Sequence, residues 1–144
     1  MAYKVLDQSI YETKVKEVLE WSRTSIERLE TDDQNHAYQC ASVSMFYGRV
    51  MRDLYEVSRA LDVAEATAYK KYRDELTANG SKATEKQIDA EITKDEGIQN
   101  ARNLVNEMKA RTITVEGLYN TIMYSKRRFL DANKDRINHD MRGA

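Results

Sequence analysis

The chain has 144 residues, 33% of them charged and 41% hydrophobic, with a net charge of −1. It has no proline and only five glycines, which disfavours a sheet protein with tight turns and favours long helices. A balance this close to neutral excludes a uniformly basic surface, so any contact with nucleic acid must be local, and the single cysteine, Cys40, excludes an internal disulfide.

The first helix is expected from about Val5 to Leu29, where Val15, Val18, Leu19, Ser22, Ile26 and Leu29 recur at spacings of three and four. The run Thr31-Asp32-Asp33-Gln34-Asn35 reads as a turn, because short polar side chains compete with the helix for backbone partners. A second, much longer helix is expected from about His36 to Leu76. One of its seams runs through Val43, Phe46 or Tyr47, Val50, Leu54, Val57, Leu61, Ala64 and Ala68. Another runs through Tyr38, Ala41, Met45, Gly48, Arg52, Tyr55, Arg59, Asp62, Ala66, Tyr69 and Arg73. A helix of about forty residues far exceeds the globular average. Either it breaks near Asp62 or subunits share its seam.

Thr77-Ala78-Asn79-Gly80-Ser81 is the clearest stop, and Thr84-Glu85-Lys86-Gln87 has the form of a capping box. The pattern continues through Ile88, Ile92, Ala101, Leu104, Val105 and Met108, with Gly97 and the β-branched Thr112–Val115 run as loose points. Val115, Leu118, Ile122, Phe129 and Ala132 carry it to about Ile137, with fraying expected from Asn138 onward. The sequence holds no apolar run of membrane-spanning length and no signal-like segment, so a cytoplasmic protein without membrane contact is expected.

Catalytic chemistry finds little support. His36 and His139 lie in unrelated segments, and Asp33-x-x-His36 is a single copy read as capping rather than metal binding. Cys40, among Tyr38, Ala41 and Val43, reads as a packed thiol. Neither a glycine-rich phosphate loop nor a cofactor motif is present. No metal, cofactor or enzymatic activity is expected.

The remaining chemistry is Tyr69-Lys70-Lys71-Tyr72-Arg73, where cations able to meet phosphates alternate with rings able to stack on unpaired bases. On a helical wheel Tyr69, Lys70 and Arg73 point away from the apolar seam, Lys71 and Tyr72 flank it, and Arg52, Tyr55 and Arg59 extend the outward face upstream. The same residues could form an ordinary solvated helix end, with the tyrosines packed under a neighbour and the cationic heads reaching water. Tyr124-Ser125-Lys126-Arg127-Arg128-Phe129 has the same two readings.

Tyr38-Gln39-Cys40-Ala41-Ser42-Val43-Ser44-Met45-Phe46-Tyr47 and Arg49 open a helix that ends in the basic tyrosine cluster. Asn79-Gly80, Thr84-Glu85-Lys86-x-Ile88, Lys94-Asp95-Glu96 and a final mixed-charge helix follow. Over residues 38–137 that order resembles the recombination mediator family of T4-like phages (UvsY-like). The resemblance implies a non-enzymatic, ring-like homo-oligomer that binds single-stranded DNA. It also implies contacts with a single-strand-binding protein and a recombinase, which the mediator helps to load onto covered DNA. Carried over onto this chain, Lys70, Lys71 and Arg73 would serve DNA binding, and Val115, Leu118, Ile122 and Phe129 a subunit interface.

The expectation is therefore an elongated helical bundle of about four helices, two of them long, oligomerising through coiled-coil-like seams. Residues 1–36 would form an N-terminal extension and 37–144 the mediator-like domain. Its nucleic-acid surface would comprise Arg52, Tyr55, Arg59, Tyr69, Lys70, Lys71, Tyr72 and Arg73. The alternative is a structural or adaptor bundle of a phage, a virion component or an inhibitor of a host protein, working through protein contacts.

Overall fold

A computed structural model describes residues 3–80 and 82–141. Among the described residues the fold is all-helical, in the order α1 (Gln8–Ser22), a 3-10 turn (Ile26–Arg28), α2 (Leu29–Ala78), α3 (Glu85–Lys94), α4 (Glu96–Asn120), a π turn (Thr121–Ser125), α5 (Lys126–Ala132) and α6 (Lys134–Met141). The two expected long helices are α2 and α4. Among the described residues no helix is long and apolar enough to cross a membrane.

Helix α1 starts where the Asp7 carboxylate accepts from the Ser9 amide at 2.9 Å. It stops at Ser22, earlier than the expected Leu29, and the chain turns at Arg23. The expected turn at Thr31–Asn35 is instead the start of α2, with Glu30 and Asp32 in its first turn, where carboxylates favour the positive end of the helix dipole. Asp32 explains the difference, because its side chain is buried against a lysine 94 positions away, a partner that local spacing does not display.

Helix α2 then runs unbroken for 50 residues, straight through Asp62. It stops at Asn79-Gly80, where Gly80 takes φ 86°, a backbone conformation that a side chain disfavours. The capping box at α3 forms in full: the Gln87 amide donates to Thr84 Oγ1 at 3.2 Å and the Thr84 amide to Gln87 Oε1 at 3.1 Å. Asp95 ends α3 and starts α4, accepting from the Ile98 amide at 3.1 Å. The break therefore falls at Asp95 rather than at Gly97, and the Thr112–Val115 run is ordinary helix. The loosening comes later, where the Lys126 amide reaches Thr121 O, five residues back. Helix continues to Met141, past the fraying expected from Asn138, and residues 142–144 lie outside the described residues.

The chain forms two compact units. One comprises residues 1–4 and 52–110, the other residues 5–51 and 111–144. In the first, Ala68 of α2 packs with Ile88 and Ile92 of α3 and Ile98 of α4, flanked by Leu61, Tyr69, Tyr72 and Leu76. In the second, Val18 of α1, Val43, Phe46 and Val50 of α2, Val115 and Leu118 of α4 and Ile122 of the π turn form one cluster. Leu29, Leu130 and Ile137 form another. Val43, Phe46, Val50 and Ala68 of the first α2 seam are thus buried among the chain's own helices, while Leu54, Leu61 and Ala64 are half-buried. The helix does not break near Asp62: one continuous α2 supplies residues to the core of each unit.

Candidate nucleic-acid interface

Within the unit formed by residues 1–4 and 52–110, the side of α2 turned away from Ala68 carries Arg52, Tyr55, Arg59, Lys70 and Arg73, all exposed. At the helical rise of ~1.5 Å per residue these side chains extend along about 32 Å. Tyr55 is 64% exposed, so its ring is open to a partner. Arg59 and Lys70 have no carboxylate partner among the described residues. The Arg52 guanidinium lies 5.8 Å from the Tyr3 ring centre, and Arg73 Nε lies 3.7 Å from Asp74 Oδ1, both at solvent-exposed positions where such contacts are weak. Asp62 interrupts the row.

Two of the expected stacking rings are used differently. Tyr69 and Tyr72 are half-buried against the Ile88–Ile92–Ile98 cluster. Tyr69 had been expected on the outward face. A wheel drawn from the apolar seam shows which side of α2 is greasy but not where α3 lands after the Asn79-Gly80 turn, and α3 lands beside Tyr69, Tyr72 and Leu76. The Tyr72 hydroxyl donates to Asp95 Oδ2 at 2.6 Å, the carboxylate that also caps α4. This bond pushes the tyrosine pKa up to about 12 and holds Asp95 below the usual carboxylate value. Lys71 is exposed, with Nζ 5.2 Å from the Tyr72 ring centre. The cluster therefore divides into exposed Lys70, Lys71 and Arg73 and packed Tyr69 and Tyr72.

The residues expected at a subunit interface lie in this chain's own cores. Val115 and Ile122 are 0% exposed and Leu118 is buried beside them, while Phe129 packs against Leu29, Leu130 and Ile137. Phe129 is only half-buried.

The second basic group is also split. Arg127 and Arg128 are exposed, Arg127 pairing with Asp131 at 3.3 Å. Lys126, in contrast, is fully buried. Its ammonium donates to Trp21 O at 2.6 Å and Gln39 Oε1 at 2.7 Å and sits 3.3 Å from Asp32 Oδ1. Burial lowers its pKa, with the Asp32 charge opposing that shift. Nearby, His36 is buried and its Nε2–H donates to Ile122 O at 3.0 Å. Cys40 is half-buried with Sγ 3.5 Å from His36 Nε2, and burial raises its pKa. This polar cluster of α2, α1 and α5 is invisible in local spacing. Its one signal in sequence is the pair of polar residues Asp32 and Gln39, seven apart, on the face that later carries Val43 and Val50.

No family model, curated protein or solved structure matches the chain.

Proposed function

We propose that this protein is a non-enzymatic single-stranded DNA-binding protein that serves as a recombination mediator, helping to load a recombinase onto DNA covered by single-strand-binding protein. One observation carries the binding reading: Arg52, Arg59, Lys70 and Arg73 share an exposed face of α2 with the open ring of Tyr55, while the opposite face does the packing. Guanidinium and ammonium groups along one helix suit a phosphate backbone, and an exposed ring suits an unpaired base. The mediator role, the two protein partners and assembly into a homo-oligomer rest on the family resemblance. With an acidic balance overall, each subunit is expected to bind weakly, and assembly would raise the affinity by avidity.

A second reading is favoured by Val63, exposed in the unit that carries the cations, and by Met45 and Met51, exposed in the other unit. Such apolar side chains suit a protein partner, as in an adaptor bundle. Fluorescence anisotropy with labelled oligo-dT at two salt concentrations, alongside light scattering, separates the two. The mediator reading expects binding that weakens steeply with salt. Indifference to oligo-dT would leave the adaptor.

A further inference from the structure

Beside the cationic face, α2, α3 and α4 line a half-open cleft of about 360 Å³, within the ~300–1,000 Å³ range of small-ligand sites. Its lining is Glu65 and Tyr69 of α2, Asp89, Ile92 and Thr93 of α3 and Arg102 of α4. All six belong to the unit formed by residues 1–4 and 52–110. Arg102 Nε donates to Glu65 Oε1 at 3.0 Å, which orients the guanidinium while engaging one of its several N–H donors. The Thr93 hydroxyl donates to Asp89 O at 2.8 Å, so its oxygen lone pairs remain to accept. Ile92, nearly buried, supplies an apolar wall, and Tyr69 supplies the edge or face of a ring.

The lining says what could enter. Two carboxylates against one guanidinium give a net negative wall, unfavourable for a phosphate or carboxylate ligand. A simple cation would meet the carboxylates but also Arg102. A flat heterocycle with acceptors on one edge and N–H donors on another meets five of the six lining groups, Glu65 being held by Arg102: donors from Arg102, acceptors from Asp89 and Thr93, and apolar contact from Ile92 and Tyr69. Guanine has that pattern, since O6 and N7 accept from arginine and its 2-amino group donates to a carboxylate. We propose that this cleft is a pocket for a single unpaired guanine base. The inference deepens the single-strand reading and rests on it in one respect: the flanking phosphates would lie on Lys70, adjacent to Tyr69, and on Arg73, one helical turn further along. Tyr69 is then a base-contacting residue from inside the pocket rather than from the outward face.

The test has two arms. Calorimetric titration with GMP, beside AMP, CMP and TMP, probes the pocket directly. Anisotropy compares oligo-dT with the same oligonucleotide carrying one central guanine. GMP is expected to bind about tenfold more tightly than the other three nucleotides, and the guanine-bearing strand about tenfold more tightly than oligo-dT. Asp89→Ala, which removes the acceptor at an exposed position of α3, should abolish both preferences while leaving oligo-dT affinity unchanged. If oligo-dT binds but GMP shows no preference, or Asp89→Ala retains it, the pocket is refuted and the α2 face stands. If GMP binds selectively and neither oligonucleotide binds, the pocket stands and the single-strand reading falls. Binding of none of these ligands overturns both.

Discussion

Tyr72 and Asp95 show how one hydrogen bond can link helix termini to pH. The tyrosine pKa is raised from 10.0 to about 12, so its contribution to stability is complete below pH 10 and is lost as pH rises toward 12. The Asp95 pKa is lowered from 3.8, so its contribution is present above pH 3.8 and is lost as pH falls through the folded value. Tyr72→Phe should therefore return the Asp95 titration toward 3.8, measurable by carboxyl NMR, with α4 still capped through the Ile98 amide. Lys126 makes a larger demand on the fold. Its pKa lies below 10.5 because burial disfavours the ammonium, so its stability contribution grows as pH rises toward 10.5. Lys126→Met removes the nearer of the two cations beside buried Asp32, leaving Arg28 at 3.8 Å, and should cost about 3 kcal/mol. Lys126→Met combined with Asp32→Leu should recover much of that loss. Urea unfolding followed by Trp21, the only tryptophan and the carbonyl partner of Lys126, reads both variants.

At the scale of elements, α2 is the helix on which the functional reading depends. Arg59→Ala with Lys70→Ala should weaken oligo-dT binding and reduce the slope of log affinity against log salt by about 1.4, roughly 0.7 for each phosphate contact removed from a single strand. Helicity should be unchanged, since both side chains are exposed. An unaltered slope would remove these two positions from the interface. The existence of α2, its stop at Asn79-Gly80 and the capping box at Thr84 were all legible in the sequence, because each is a local conformational preference. The face of Arg52, Tyr55, Arg59, Lys70 and Arg73 was legible too, because it follows from the helical repeat. The fate of Tyr69 and Tyr72 was not, since it depends on which side α3 returns to. Asp32 is the same lesson in another place: a turn-forming residue by local chemistry becomes a helical one when a lysine far along the chain needs its charge.

At the scale of the whole molecule, the central question is what the apolar residues of α4 and the π turn hold together. Ile122 is 0% exposed inside the cluster with Val18, Val43 and Val115. Ile122→Ala should therefore destabilise the unit that contains it by about 2–5 kcal/mol, read by Trp21 fluorescence in urea. The mass measured by light scattering under native conditions should stay the same. A drop in mass with unchanged stability would restore this residue to a subunit interface. A stripe of Val, Leu, Ile and Phe at helical spacing states only that it is to be buried, not by what, so the sequence does not say whether its own helices or a second copy cover it.

Sequence alone determined the all-helical class, the two long helices, the main stop signals and the outward cations of α2, because these follow from backbone preference, missing prolines and the helical repeat. Tertiary structure alone decided that α2 serves two compact units, that Lys126 turns inward to Asp32, that Tyr69 faces a cleft, and that Val115, Leu118 and Ile122 bury one another. Those outcomes depend on partners distant along the chain, and the free energy of burying a side chain belongs to the pair that meets rather than to either residue alone.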